Sequence, residues 1–305
     1  MRPTVDEIIA RHAAFAAEYY RKPSGAPTRE ADNLRHAAAA LSAVAGDLNA
    51  ATLTPANFRE AQRFMIALGL TRSTINARML RIRRMIRWAF TEQLLGADVV
   101  AAASAIPPLR RGRSAAREKP PVTSVPEEHV EATCRRLSPQ LVAMVQLLLH
   151  SGMRVGELLA MTADAIDIQA DPWRYTPTEH KTAHHGIVRV IVLGPRARAT
   201  LAPWLDPGEP WLFPTVAAAR PIWRSRTGAP ITANNFRRRV QRAAAAAGVP
   251  TWTPLQLRHT AATRVRRHLG LETARAVLGH TIATTTEIYA ERDVQLAVDA
   301  MQLLG

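Results

Sequence analysis

The sequence predicts a mainly α-helical protein with a small antiparallel β-sheet, divided into two domains. Three observations predict it. Apolar residues recur at helical spacing across residues 5–95 and again after Asn234. Three β-like runs, rich in β-branched and aromatic residues, crowd between Ala165 and Leu193. Between these regions residues 106–126 read IPPLRRGRSAAREKPPVTSVP, where prolines fix φ and withhold amide donors. The expected layout is a helical domain over 1–105, a basic Pro-rich linker over 106–123, and an α+β domain over 124–305 with a tail helix.

Taken in order, Val5, Ile8, Ile9 and Phe15 mark a first helix that the PSGAPT turn ends. A second helix is expected from Ala31 to Ala45, and Thr54-Pro55 opens a third that runs to about Leu68. From Ser73 to Leu95 one stripe gathers Ile75, Met79, Ile82, Met85, Ile86, Ala89 and Phe90. Arg78, Arg81, Arg83, Arg84 and Arg87 fill the remaining surface with almost no acids between them. A charge run is usually a solvated face, but unpaired like charges repel unless a polyanion neutralises them. Arg78, Arg81, Arg84 and Arg87 are therefore candidate phosphate contacts. The linker adds Arg110 and Arg111, with Arg113, Arg117 and Lys119, against one acid; it reads as a flexible basic strap.

The second domain opens with a capping box from Ser124 to Glu127. Ser138-Pro139 starts an almost wholly apolar helix that stops at Gly152, and Arg154 and Glu157 follow, one turn apart. Strands are expected around Ala165–Ile168, Trp173–Thr178 and Ile187–Leu193, with Lys181 in the second turn. A helix from Asn234 to Ala247 carries Arg237 and Arg238, two more candidate DNA contacts, and ends at Gly248. Thr253 and Pro254 cap the helix that holds Arg258. His280 follows Gly279 at a helix end, and Tyr289 comes nine positions later in a short polar helix. Val294, Ala297, Val298, Met301 and Leu304 make the tail amphipathic.

Composition narrows the function. Lys+Arg 40 against Asp+Glu 25 gives a net charge of +15, so the expected partner is a polyanion. No run of about 18 apolar residues could span a membrane, and MRPTVDEIIARH lacks a signal-peptide core. One cysteine, Cys134, precludes an intramolecular disulfide or a Cys-rich zinc site. The ten histidines are scattered apart from His184–His185, so no metal cluster is expected. Arginine forks, a histidine and a tyrosine suit metal-free phosphodiester transfer: a phenol attacks phosphorus while fixed cations neutralise the developing charge.

LRHTAAT, then LGH, then a tyrosine nine positions after the histidine resembles the second half of the tyrosine recombinase (phage integrase) family. SGMRVGELLAM supplies the family's first arginine at Arg154, and EHKTAHHGIVRVIVL its hairpin lysine at Lys181. The resemblance implies a helical core-binding domain joined to an α+β catalytic domain, the two closing around duplex DNA. It implies Tyr289 as nucleophile, Arg154 and Arg258 as the phosphate clamp, Lys181 as acid for the 5′ oxygen and His280 as a further donor. Glu157 would orient Arg154, and Arg189 reads as a contact to the DNA backbone.

The expected function is site-specific recombination through a 3′-phosphotyrosine, integrating, excising or resolving DNA without cofactor or metal. Its partner would be double-stranded DNA with paired recombination sites, bound by a homotetramer that is monomeric off DNA, with accessory DNA-bending proteins as candidate helpers. A cytoplasmic, nucleoid-associated bacterial, phage or mobile-element setting follows. The tail is expected to dock on a neighbouring protomer. One position departs from the family: its usual histidine, three residues before the second arginine, is Leu255, expected to pack on the site face of the helix. The alternatives are a catalytically weak or silent DNA-binding relative and a relaxing type IB topoisomerase.

Overall fold

The computed structural model describes residues 2–21, 25–177, 189–205, 231–279 and 297–304. It divides into two compact units, 1–121 and 122–305. In the first, α1 (Val5–Tyr19), α2 (Glu30–Ala45), α3 (Pro55–Ala67) and α4 (Arg72–Thr91) enclose one core. Thr4 caps α1 through a reciprocal pair with Glu7, each accepting from the other's amide at 3.1 and 3.2 Å. The expected stripe of α4 is buried from Ile75 to Ala89, against Ile8, Leu41, Phe58 and Met65.

Two features of this unit differ from the sequence reading. A further helix, α5 (Ala97–Ser104), follows the turn after α4. Arg83 closes its C-terminal end, donating to the carbonyls of Ala103 (3.1 Å) and Ile106. A cation there satisfies carbonyls that the helix leaves open. The expected loose strap is tied down through Glu118. Ile106 and Ala116 are buried, Leu109 exchanges two hydrogen bonds with Asn76 (2.8 and 3.0 Å), and Arg72 meets Glu118 at 2.6 Å. The segment belongs to the first unit because apolar residues between its prolines find the end of the helical core.

The second unit packs α6 (Glu127–Cys134), α7 (Pro139–Ser151), α10 (Ala233–Ala246) and α11 (Pro254–Leu278) around a second core. The Ser124–Glu127 capping box does not form: Pro126 is the N-cap, with no side-chain bond. The Val125 amide instead donates to Thr260 Oγ of α11 at 2.9 Å. Cys134 packs half-buried on α6, and burial pushes its thiol up to about 11. Gly152 ends α7 at φ 65°, and a Cβ there would press the Leu278 side chain at 3.2 Å. The short helix α8 (Val155–Leu159) leads to β1 (Ile166–Asp167), β2 (Trp173–Tyr175) and β3 (Ile191–Leu193), an antiparallel sheet in that order. Ile166 faces Tyr175, and Trp173 faces Leu193. The helix α9 (Pro195–Leu201), which the sequence reading passes over, then lies on α7.

The tail, expected on a neighbouring protomer, lies on its own unit in this single chain. Residues 297–304 are helical, and Ala297, Val298, Ala300 and Met301 pack against Val192, Val265, Ala274 and Val277 of their own unit. The apolar side of the tail covers apolar residues of β3 and α11.

Candidate active site

Three stretches of chain meet at the site: the start of α8, α11, and the residues before β3. At the first, Arg154 is the N-cap of α8 and Glu157 its third residue. The Glu157 carboxylate accepts from the Arg154 amide and from its Nη1, both at 2.7 Å. Sequence spacing of three makes this possible, because the cap residue and the third helical residue face each other across the first turn. Glu157 is only 3% exposed, and the Tyr175 hydroxyl donates to its carbonyl at 2.8 Å, fixing α8 to β2. The nearby carboxylate and burial, burial first, raise the Tyr175 phenol above its ordinary value.

Arg258 comes from the second turn of α11 and is 9% exposed. Its Nη1 donates to the Gly152 carbonyl at 2.7 Å and its Nη2 to that of Leu278 at 2.8 Å. Both acceptors lie at helix ends whose carbonyls have no partner further along the helix. One guanidinium therefore joins the end of α7 to the end of α11. Burial, with Arg154 and Arg189 nearby, lowers its pKa to about 10, and Glu157 pulls the other way. An arginine at that value remains charged at neutral pH.

Arg189 is the third guanidinium, and sequence reasoning missed its place. Read as a DNA-backbone contact, it is instead 7% exposed. Its Nη2 donates to the Val277 carbonyl at 3.2 Å, and its Nε faces Glu157 Oε1 at 3.8 Å. The available signal is its setting in IVRVIVL, a single charge inside an apolar run.

Leu255 requires a correction. It is not a packed position but is 50% exposed, in the first turn of α11, one turn before Arg258. One turn apart is not the same burial when the helix starts at the surface and descends into the unit. Lys181, His184, His185, His280 and Tyr289 lie outside the described residues. The arrangement that is described holds fixed positive charge around one carboxylate, between two glycine turns, where an anionic group can be received.

The candidate DNA contacts sort into two groups. Arg81 donates to both carboxylate oxygens of Glu30 (3.0 and 2.9 Å), with Arg84 at 3.8 Å from the same group. The acid absent from the sequence of α4 is supplied by α2. Arg87, Arg110, Arg111, Arg237 and Arg238 are exposed, and Arg78 is half-buried beside His36 and Asn33. Among the described residues no helix is long and apolar enough to cross a membrane.

The fold matches solved DNA-bound integrases. A lambda integrase (residues 75–356) dimer bound to a COC' core site aligns with 94% of this chain and 100% of its own, at TM-score 0.67 and 17% identity. The Tn1549 transposon integrase in complex with transposon right end DNA aligns with 96% of this chain and 99% of its own, at TM-score 0.68 and 16% identity. The model of the phage integrase family matches residues 127–295, more than half of the chain, and the protein belongs to that family. Tyrosine recombinase XerC of Bifidobacterium longum subsp. infantis is 32% identical over 165 residues, covering 52% of this chain and 45% of the relative. XerD of Xanthomonas campestris pv. campestris is 31% identical over 155 residues, 48% and 46% of the two chains. The match thus spans less than half the length of these curated relatives.

Proposed function

We propose that this protein is a site-specific DNA recombinase of the tyrosine class. The observation that carries the reading is the gathering of Arg154, Arg189 and Arg258 around the buried carboxylate of Glu157. A buried site with more guanidinium than carboxylate is costly by itself and is relieved by a phosphodiester. In the reaction, the Tyr289 phenol gives its proton to solvent and its oxygen attacks phosphorus. The bond from phosphorus to the 5′ oxygen breaks, giving a 3′-phosphotyrosine and a 5′ hydroxyl. Lys181 delivers the proton to that departing oxygen. Arg154 and Arg258 donate to the non-bridging oxygens, and His280 adds a further donor. Attack by a 5′ hydroxyl of another strand reverses these steps and rejoins the DNA. No metal or cofactor enters this scheme.

The helical unit and the residues following it would act as the core-binding module, with Arg78, Arg84, Arg87, Arg110 and Arg111 on phosphates; Arg237 and Arg238 would serve the second unit. Arg81, held by Glu30, is the weakest of these assignments. The solved relatives include a lambda integrase tetramer bound to a Holliday junction, which supports a homotetramer on paired sites as the working assembly. A cytoplasmic, nucleoid-associated setting goes with that partner. The second reading, a DNA-binding relative without activity, draws on one observation: the half-exposed Leu255 offers no donor beside Arg258.

Covalent trapping decides between them. On a nicked duplex that lets the 5′-hydroxyl fragment diffuse away, the parental protein should remain attached to DNA through denaturing electrophoresis, in EDTA as well as in Mg²⁺. Tyr289→Phe should abolish attachment and bind duplex normally. Attachment that survives in the phenylalanine variant moves the nucleophile elsewhere; none in the parental protein favours the silent relative.

A further inference from the structure

Arg189 is pinned at three points. Its Nη2 donates to the carbonyl of Val277, in the last turn of α11, at 3.2 Å. Its Nε lies 3.8 Å from Glu157 Oε1, the same oxygen that accepts from Arg154 Nη1 at 2.7 Å. Among the described residues that buried Nε has no hydrogen-bond partner, and the charge of Glu157 compensates it. The third point is Gly279. It sits in the left-handed region at φ 60°, and a Cβ built there would overlap the Arg189 guanidinium. Glycine is thus required twice, by its backbone angle and by the arginine pressed against it.

These contacts join two places that share no direct hydrogen bond among those described. One is the Arg154–Glu157 pair at the start of α8. The other is the turn at Gly279, whose next residue is His280. We propose that Arg189 is a positioning residue that sets the spacing between the Arg154–Glu157 pair and the Gly279 turn. It shares Glu157 with Arg154 on one side and holds the end of α11 on the other. Its guanidinium is committed to Val277 and Glu157 of its own unit. Its effect on catalysis rests on the proposed function, since only there do Arg154 and His280 act on one phosphate. Its effect on structure does not.

Amide hydrogen exchange of the full chain, read by mass spectrometry, tests the structural half without requiring activity. In Arg189→Met, exchange should quicken by roughly tenfold or more in both 152–158 and 276–279. Arg189→Lys keeps a cation within reach of Glu157 and should restore 152–158 more than 276–279. Gly279→Ala should disturb 152–158 in the parental background but not in Arg189→Met, because no guanidinium is then left to push. Quickening confined to 276–279 would overturn the proposal and leave Arg189 as a cap on α11. Should Arg189→Met fail to fold, the lysine variant and Gly279→Ala still read the same two segments.

Single-turnover cleavage of the nicked duplex tests the catalytic half. Arg189→Met should slow covalent attachment by about 10–100-fold, as a small misplacement does, with duplex affinity held within about twofold. Attachment at the parental rate would overturn the catalytic role. A parental protein that never attaches would instead defeat the recombinase reading, and exchange alone would then decide the proposal.

Discussion

On α4, Arg81 and Arg84 share the carboxylate of Glu30 at a partly exposed helix surface. Around α8 and α11, Arg154 and Arg189 share the carboxylate of Glu157, which is almost wholly buried, with Arg258 close by. The residues are alike and the dielectric setting differs. Surface ion pairs contribute about 0–1 kcal/mol and are screened by salt. Buried ones cost much to assemble and much to break. The first set can exchange its carboxylate for a passing phosphate with little loss. The second set is already rigid, each guanidinium bonded to helix-end carbonyls or to Glu157, and keeps its charge aimed whether or not a ligand is present.

The largest expected effect comes from Glu157→Gln. Removing the shared carboxylate leaves two guanidiniums facing a neutral amide, which should cost about 3 kcal/mol and lower the melting midpoint of the second unit by roughly 6–12 °C. Cleavage should fall by about 10²–10³. The matching change on the surface, Glu30→Gln, should alter stability by less than about 1 kcal/mol and tighten DNA binding at low salt, because Arg81 and Arg84 are released. Equal destabilisation by the two substitutions, measured by calorimetry, would remove the distinction.

Acid should affect both units alike. His12, against Phe15 and Trp88 in the first unit, and His150, on α7 in the second, are both held down to about 4 chiefly by burial, from an ordinary 6.5. Between those values the unfolded chain takes up a proton that each native histidine refuses, so stability falls as pH drops from 6.5 towards 4. The full loss is about 3 kcal/mol per histidine. His12→Phe should flatten that slope for the first unit only, as seen in urea midpoints at pH 7 and pH 5.

The smallest effect on folding belongs to Leu255→His. A half-exposed position pays little for the change, within about 0.5 kcal/mol. An added donor beside Arg258 should raise single-turnover cleavage several-fold. An unchanged rate would mean that the new ring cannot reach the phosphate or that another donor already serves it.

Much of this was legible in the sequence, and the misses have physical causes. Arg154 and Glu157 are three residues apart, so their bond follows from helix geometry, and the Thr253-Pro254 start of α11 was equally local. Glu30 lies 51 positions before Arg81, and no local pattern could pair them. α5 and α9 are short and contain few large apolar residues, so they gave no clear period. The prolines of residues 106–121 suggested a free strap, whereas the buried Ile106 and Ala116 decide its packing. The angle of Leu255 around the helix is legible, but its exposure is not, because depth along the helix axis governs burial there. The tail's apolar side was legible; which surface it covers was not.

The division of labour between the two arginine sets is tested most directly by comparing Arg258→Ala with Arg87→Ala in one assay of binding and cleavage. At saturating protein, Arg258→Ala should cleave at least about 10³-fold more slowly than the parental chain, whatever affinity it loses. Arg87→Ala should cleave at the parental rate once bound, with its log–log salt slope reduced by about 0.9. Parental cleavage by Arg258→Ala, or a saturated Arg87→Ala complex that fails to cleave, would contradict the account.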